Sequence, residues 1–170
     1  MSIVGKIDSL WRYPVKSMRG EELDEVFASF SGIYGDRLFA FESSASPKGF
    51  PYLTAREQNR LLQYRPHFCH PDKAARPINL TEAEKMGANP VWADPLELLV
   101  DVETPDGKTL AIDDPALFDM LRADIDQKHQ LTLMQSQRAM TDCRPLSIFR
   151  KIPEIGCEMP PFLRHSAARL

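Results

Sequence analysis

Short segments in which apolar and polar residues alternate recur along the chain, and a period of two is typical of half-buried β-strands. The alternation is clearest over residues 22–30. Strands are predicted at 3–13, 22–30, 37–42, 61–70, 78–80, 96–102, 109–112 and 131–135. The rest of the stretch 71–95 is rich in proline, asparagine and lysine and predicts irregular structure. Fourteen prolines divide the chain into short elements, because proline lacks the backbone N–H that ladders and helices need.

One segment shows helical periodicity instead. Asp114 is a natural N-cap, and Pro115 suits the first helical position. The apolar residues that follow at helical spacing are Leu117, Met120, Leu121 and Ile125. They predict an amphipathic helix that runs to about residue 128. Many short strands with one main α-helix predict a mostly β (α+β) fold, organised as a β-barrel-like domain.

Cationic residues lie beside turn-forming residues in two segments near the N-terminus. Residues 13–20 read YPVKSMRG, and residues 32–37 read GIYGDR. A predicted strand separates Lys16 from Arg37, so these side chains can meet in space together with the Ser17 hydroxyl. An ammonium, a guanidinium and a hydroxyl at one place form an anion site, and the planar guanidinium suits phosphate. The alternative interpretation is that both cations are solvated surface residues, the usual position of Lys and Arg.

Composition and charge narrow the classes of function. A net charge of −3 and a pI near 5.8 argue against nucleic-acid binding, which needs a basic face. No apolar stretch reaches the roughly 20 residues of a membrane span, and the N-terminal residues contain no signal-peptide run. Three cysteines without repeated spacing indicate reduced thiols. We therefore expect a cytoplasmic protein without nucleic-acid or membrane partners.

Other residues that could carry chemistry have simpler structural explanations. His67, Cys69 and His70 form a cluster, but zinc needs a fourth ligand and the sequence offers no paired spacing for one. Cys143 precedes Arg144, which could favour a thiolate. No base is placed beside it, and a buried thiol at a strand end is the simpler interpretation. The sequence therefore gives no catalytic residue and no metal ligand.

The motifs at 13–20 and 32–37, followed by TARE at 54–57, resemble the start of a known family. In order and spacing they are similar to the N-terminal β-barrel domain of MOSC proteins, which are related to the C-terminal domain of molybdenum-cofactor sulfurases. The resemblance extends over residues 3–62. It returns at 142–149, DCRPLSIF, which resembles the strand that opens the MOSC domain proper. The resemblance implies the β-barrel fold that the strand pattern also predicts.

The resemblance further implies a ligand. Larger members of the family resemble amidoxime-reductase-like enzymes, which use the molybdenum cofactor to reduce N-hydroxylated compounds. That cofactor is a pterin with a terminal phosphate, and the family's Lys, Ser and Arg correspond to Lys16, Ser17 and Arg37. These three are the expected cofactor-binding residues, with a pterin phosphate or another small anion as the ligand. Asp36 is expected to brace a turn or a neighbouring cation.

Three regions are expected along the chain. Residues 1–140 form the N-terminal domain, 141–149 the first strand of an incomplete MOSC domain, and 150–170 a divergent tail that is expected to be disordered. The family's metal-ligating cysteine has no counterpart, since Cys157 lies in a different context. A frameshift or premature stop near Arg150 is the hypothesis for this departure.

The function that follows from the sequence is part of a molybdenum-cofactor site, without oxidoreductase activity of the chain alone. Two alternatives stay open. In one, a partner chain supplies the MOSC domain and completes an enzyme that reduces N-hydroxylated compounds. In the other, the chain is a non-catalytic anion-binding or protein-interaction module.

Overall fold

The computed structural model describes residues 7–29, 32–47, 49–86, 91–123, 125, 130–135 and 145–150. Within these ranges the chain forms ten β-strands, two α-helices and two 3-10 helices. The strands are β1 (Leu10–Arg12), β2 (Glu21–Leu23), β3 (Glu25–Ser29), β4 (Gly32–Ile33), β5 (Phe39–Ser43), β6 (Arg65–Phe68), β7 (Val100–Glu103), β8 (Thr109–Ala111), β9 (Leu131–Gln135) and β10 (Pro145–Arg150). The helices are α1 (Leu80–Met86) and α2 (Pro115–Ala123), and the 3-10 helices span Asn59–Gln63 and Pro95–Leu98.

The described strands pair antiparallel in four small sheets, ordered β1–β2, β10–β3–β4, β5–β9 and β6–β7–β8. Isolated bridges join Val15 to Phe39 and Tyr52 to Glu42, so two loop segments are tied to β5. The mostly β class with one main helix, α2, is confirmed. The sheets formed by the described residues do not close into a barrel, because strands of two to six residues give ladders that end before neighbouring sheets join.

Several predicted elements are confirmed. β9 covers the predicted strand 131–135, and α2 begins where expected, because Asp114 Oδ1 accepts a hydrogen bond from the Ala116 N–H at 2.8 Å. The predicted strand 22–30 forms two strands, since a bend at Asp24 separates β2 from β3. Of the predicted strand 3–13, only Leu10–Arg12 forms a strand, β1; residues 7–9 lie outside it, and residues 3–6 lie outside the described residues.

The predicted strand 78–80 is wrong. Ile78 and Asn79 lie in a turn, and Leu80 opens α1, which continues into the stretch that was expected to be irregular. Leu80 is buried whereas Ile78 is 63% exposed, so the short apolar run does not present one face to a sheet. The run instead packs its last residue into the core as the first residue of the helix.

The predicted strands 61–70 and 96–102 are each correct only in their second part, which forms β6 and β7. The first part of each lies in a 3-10 helix. In the second case Asp94 Oδ1 accepts from the Leu96 N–H at 2.8 Å, and the Glu97 carboxylate accepts from the Asp94 N–H at 3.3 Å. These local side-chain hydrogen bonds form a capping box that overrides the strand-like apolar pattern.

The predicted strand 142–149 is confirmed from Pro145 onward as β10, which pairs with β3 up to the Arg150–Glu25 position. Residues 136–144 and 151–170 lie outside the described residues. Cys143, Cys157 and the predicted tail beyond Arg150 are therefore not described, and the division into three regions stays a prediction.

A single cluster of buried apolar residues fills the space between β5, β7 and α2. Leu117 and Leu121, which the helical spacing puts on one face of α2, are both buried. The Phe118 ring meets the Phe41 ring of β5 edge-on, with centroids 5.4 Å apart. The helix therefore packs against β5 through this ring contact. The segments described below pair with the two ends of the same strand, at Phe39 and at Glu42.

A buried cation ties several elements to one another. The Arg12 side chain is 3% exposed, and its Nε donates to Glu21 Oε1 at 2.7 Å. Its Nη1 donates to the carbonyl oxygens of Tyr34, at 3.4 Å, and of Ala74. The guanidinium also lies 4.6 Å from the centroid of the Phe68 ring. Arg12 thus joins β1, β2 and β6 to the turn at 34–37.

Gly35 lets this turn pass close to the buried cation. Its φ of 77° is left-handed, and a Cβ built on it would lie 3.1 Å from a Phe68 ring carbon and 3.4 Å from Arg12 Nη1. A side chain at this position would destabilise the fold in two ways: the left-handed backbone is unfavourable for any residue with a Cβ, and the Cβ would press against the Phe68 ring.

Candidate functional site

A cavity of about 580 Å³ opens where the 13–18 segment, the turn at 34–37 and the segment 50–56 meet. Its lining residues are Tyr13, Lys16, Ser17, Met18, Arg37, Phe50, Thr54, Ala55, Arg56 and Leu62. The same cavity is therefore lined by all three residues that were predicted from the sequence to bind a ligand, Lys16, Ser17 and Arg37. That they bind a ligand there remains a prediction.

Backbone hydrogen bonds hold two of the cavity's segments together. The Arg37 N–H donates to the Tyr13 carbonyl at 2.6 Å, and the Lys16 N–H donates to the Phe39 carbonyl at 2.8 Å. The Phe39 N–H returns a bond to the Pro14 carbonyl at 3.1 Å. The predicted meeting of the two motifs is thus produced by pairing of residues 13–16 alongside the start of β5.

Left-handed backbone at non-glycine residues is confined, within the described part of the chain, to two residues of this cavity. Ser17 has a φ of 68° and Arg37 a φ of 49°. Such conformations cost on the order of 1–3 kcal/mol each and persist where the surroundings fix them. The coincidence of this strain with a polar cavity is the pattern from which a functional role is inferred.

Lys16 is held by two aromatic rings. Its Nζ lies 4.7 Å from the centroid of Phe50 and 4.6 Å from that of Tyr52, which are cation–π distances. Among the ion pairs between described residues, none includes Lys16. Its positive charge is therefore not offset by a described carboxylate.

Arg37 is arranged differently. Its Nη1 contacts Asp36 Oδ2 at 2.7 Å, and the guanidinium lies 5.8 Å from the Tyr13 ring centroid. Asp36 Oδ1 accepts the Tyr13 N–H at 2.8 Å, so this carboxylate braces both the turn and the neighbouring cation, as expected. With 62% of its side chain exposed, Arg37 remains open to solvent and to a ligand.

Arg56 is a third cation of the cavity, and sequence reasoning assigned it no role. It lies in a turn that Glu57 ties down, since Glu57 Oε2 accepts from the Thr54 N–H at 3.0 Å and from the Thr54 hydroxyl at 3.3 Å. The TARE motif at 54–57 was the available signal. No acidic residue is among the lining residues, and Lys16 and Arg56 add their charges to that of Arg37, which Asp36 partly offsets, so the cavity attracts anions.

The residues of the second candidate cluster do not form a metal site. Within the described residues no group of three or more His, Cys, Asp and Glu side chains is arranged to hold a metal ion. Burial raises the pKa of the Cys69 thiol, and the charge of Asp101 and a hydrogen bond to it raise that pKa further. Cys69 lies on the surface beside β7 as a protonated thiol, not as an activated nucleophile.

Comparisons with known proteins bear on the N-terminal segment. The profile of the MOSC N-terminal beta barrel domain matches residues 4–70, which include all three motifs and all the lining residues of the cavity named above. Comparison with curated proteins returned no match. In the described residues, no helix combines the length and apolar character that crossing a membrane requires. Residues 4–70 of this chain are therefore similar to the MOSC N-terminal beta barrel domain.

Proposed function

We propose that the cavity binds a small phosphate-bearing anion, and that the family's ligand, the pterin phosphate of the molybdenum cofactor, is the natural occupant. The observation that carries this proposal is the convergence of Lys16, Arg37 and Arg56, from three separate segments, on one cavity without an acidic lining residue. The Ser17 hydroxyl adds a neutral donor.

The donor set fits the phosphate end of such a ligand. A guanidinium can form two parallel hydrogen bonds with phosphate oxygens, and an ammonium adds a mobile point charge. The apolar walls formed by Tyr13, Phe50 and Leu62 suit a ring system, and about 580 Å³ is within the range of small-molecule sites. The lining residues include no cysteine, so we assign them the phosphate and no part of the metal's coordination.

The cofactor, when bound, supplies a redox-active molybdenum ion. The residues of this chain are proposed only to bind and orient its phosphate. Ion pairs between exposed groups are worth about 0–1 kcal/mol each, so three of them contribute at most about 3 kcal/mol. This corresponds to a dissociation constant for inorganic phosphate on the order of 10 mM or weaker. A ligand that also covers the aromatic wall is expected to bind more tightly.

The test is a titration of the ¹⁵N-labelled protein with inorganic phosphate and with a pterin phosphate, followed by amide shifts. The variant Lys16→Gln/Arg37→Gln is expected to lose binding of both. The matched control is Arg65→Gln/Lys108→Gln, which removes two exposed cations that pair with carboxylates elsewhere on the surface. Equal binding by both variants, or shifts that do not cluster at the cavity, would refute the proposal.

The same titration separates the two alternatives that the sequence left open. Binding of phosphate without preference for the pterin phosphate supports a non-catalytic anion-binding module. Purification from a host that makes the molybdenum cofactor tests the other alternative. Recovery of molybdenum together with a second, MOSC-domain chain supports a two-chain enzyme that reduces N-hydroxylated compounds.

A further inference from the structure

We propose that Phe50 and Tyr52 are positioning residues that hold the Lys16 ammonium ready for an anion without neutralising it. The inference rests on the anion site proposed above and names the residues that determine its affinity. Neither ring belongs to the motifs that pointed to Lys16.

The segment that carries the two rings and the segment that carries Lys16 both form backbone contacts with β5. Tyr52 bridges to Glu42 of β5, and the Leu53 N–H next to it donates to the Phe41 carbonyl at 2.8 Å. Lys16 donates its N–H to Phe39, at the other end of that strand. The distance between the lysine and the rings is therefore set by β5, which α2 packs against from inside.

The rings also support each other. Phe50 and Tyr52 meet edge-on, with centroids 5.4 Å apart and planes at 84°. Each presents its ring to Nζ at nearly the same distance, 4.7 and 4.6 Å. Phe50 is 49% exposed, which core packing does not explain, and it lines the cavity. Contact with the ammonium accounts for its position.

An aromatic holder differs from a carboxylate in one respect that matters for binding. The ring quadrupole attracts a cation but carries no net charge. An incoming anion therefore meets the full charge of Lys16, whereas at Arg37 it must compete with the carboxylate of Asp36. Because the long lysine side chain is already ordered, binding also loses less conformational freedom.

The test uses inorganic phosphate as the probe and the variant Phe50→Leu/Tyr52→Leu, which retains apolar bulk but removes both ring faces. We expect its dissociation constant for phosphate to rise by roughly three- to tenfold, because binding must then order one long side chain that the rings no longer hold. Its dependence on ionic strength should stay that of the wild-type protein, because all three cations remain. Lys16→Gln should weaken binding and also reduce that dependence, because a charge is lost.

Two further variants serve as controls. Phe50→Tyr/Tyr52→Phe keeps both rings and should bind phosphate as the wild-type protein does. Leu96→Ala shortens an apolar side chain that is 73% exposed and does not line the cavity, and it should leave phosphate affinity within twofold. In the anion-free wild-type protein, the side-chain methylene protons of Lys16 should show upfield ring-current shifts, which the double leucine variant should lose.

The outcomes separate the two proposals. If the wild-type protein binds no phosphate, the proposed function fails and this inference fails with it. If phosphate binds but the Lys16 shifts are absent, or the double leucine variant binds as tightly as the wild-type protein, only the positioning role of Phe50 and Tyr52 is overturned. Loss of ring-current shifts together with weaker, equally salt-dependent binding supports it.

Discussion

Replacing Glu21 with glutamine tests whether the buried Arg12 guanidinium depends on a charged partner. Glutamine keeps the shape and an acceptor oxygen, so the change removes mainly the charge. Removing one partner of a fully buried ion pair costs about 3–5 kcal/mol, because the other charge stays buried. The Glu21 side chain is 25% exposed and Arg12 keeps its carbonyl and ring contacts, so the loss should be smaller. We expect the free energy of unfolding to fall by about 2 kcal/mol.

Urea denaturation followed by circular dichroism measures this loss. With an m value of about 2 kcal/mol/M, usual for a small domain, the midpoint should fall by about 1 M. The control is Glu103→Gln, which breaks the exposed pair with Arg65, whose atoms are 3.7 Å apart. That change should cost about 0–1 kcal/mol. Equal midpoints for Glu21→Gln and Glu103→Gln would refute the reasoning, since the dipoles around Arg12 would then suffice without a carboxylate.

Three further predictions address backbone strain and thiol chemistry. Ser17→Gly should raise the free energy of unfolding by up to about 1 kcal/mol, because glycine accepts a φ of 68° freely. Ser17→Ala should leave the free energy of unfolding within about 0.5 kcal/mol of the wild-type value. Chemical denaturation of the two variants measures both changes. Gly35→Ala should cost roughly 3 kcal/mol, against about 1–2 kcal/mol for Gly107→Ala, whose added methyl meets no atom within 4 Å; equal losses would contradict the packing contribution. With the other two cysteines replaced by serine, Cys69 should react with Ellman's reagent at pH 8 more slowly than a free thiol, because its pKa is raised. Asp101→Asn should speed the reaction, and an unchanged rate would contradict the assigned cause.

The candidate site was largely accessible to sequence reasoning. Lys16 and Ser17 lie in one turn and Arg37 in another, at the two ends of the segment 16–37. Turns can be predicted from sequence because a few consecutive residues determine their conformation. The roles of Phe50 and Tyr52 were not accessible in this way. Which rings face Lys16 depends on how the loop after β5 aligns with that strand, and this register is set by pairing between residues distant from the motif.

The fold shows the same division between local and distant signals. β9 and the start of α2 were predicted correctly because caps and periodicity act within a few residues. The end of the helix was not, since α2 ends at Ala123 and residue 125 lies in a bend, whereas the prediction extended to about residue 128. The 3-10 helix after Asp94 was missed, because the apolar run that follows predicted a strand. In the structure the capping box at Asp94 determines the local conformation instead. In β1 the burial of apolar and charged residues is the reverse of the usual, since Trp11 is 39% exposed while Arg12 is buried. Arg12 can be buried because Glu21 and two carbonyl oxygens from other segments accept hydrogen bonds from its guanidinium. A pattern of hydrophobicity cannot foresee partners that only tertiary contacts bring together.

The pairing of β3 with β10 affects how the chain folds during its synthesis. The partner residues lie about 120 positions apart in the chain. At a synthesis rate of about 5–20 residues per second, β3 leaves the ribosome roughly 6–24 seconds before its partner strand. Throughout that interval one edge of β3 is an open template for other strands, since β4 covers only the opposite edge, over two residues. The nascent chain therefore depends on delayed closure of a long loop, and its folding rate should be limited by that late step more than by α2 or the β7–β8 hairpin.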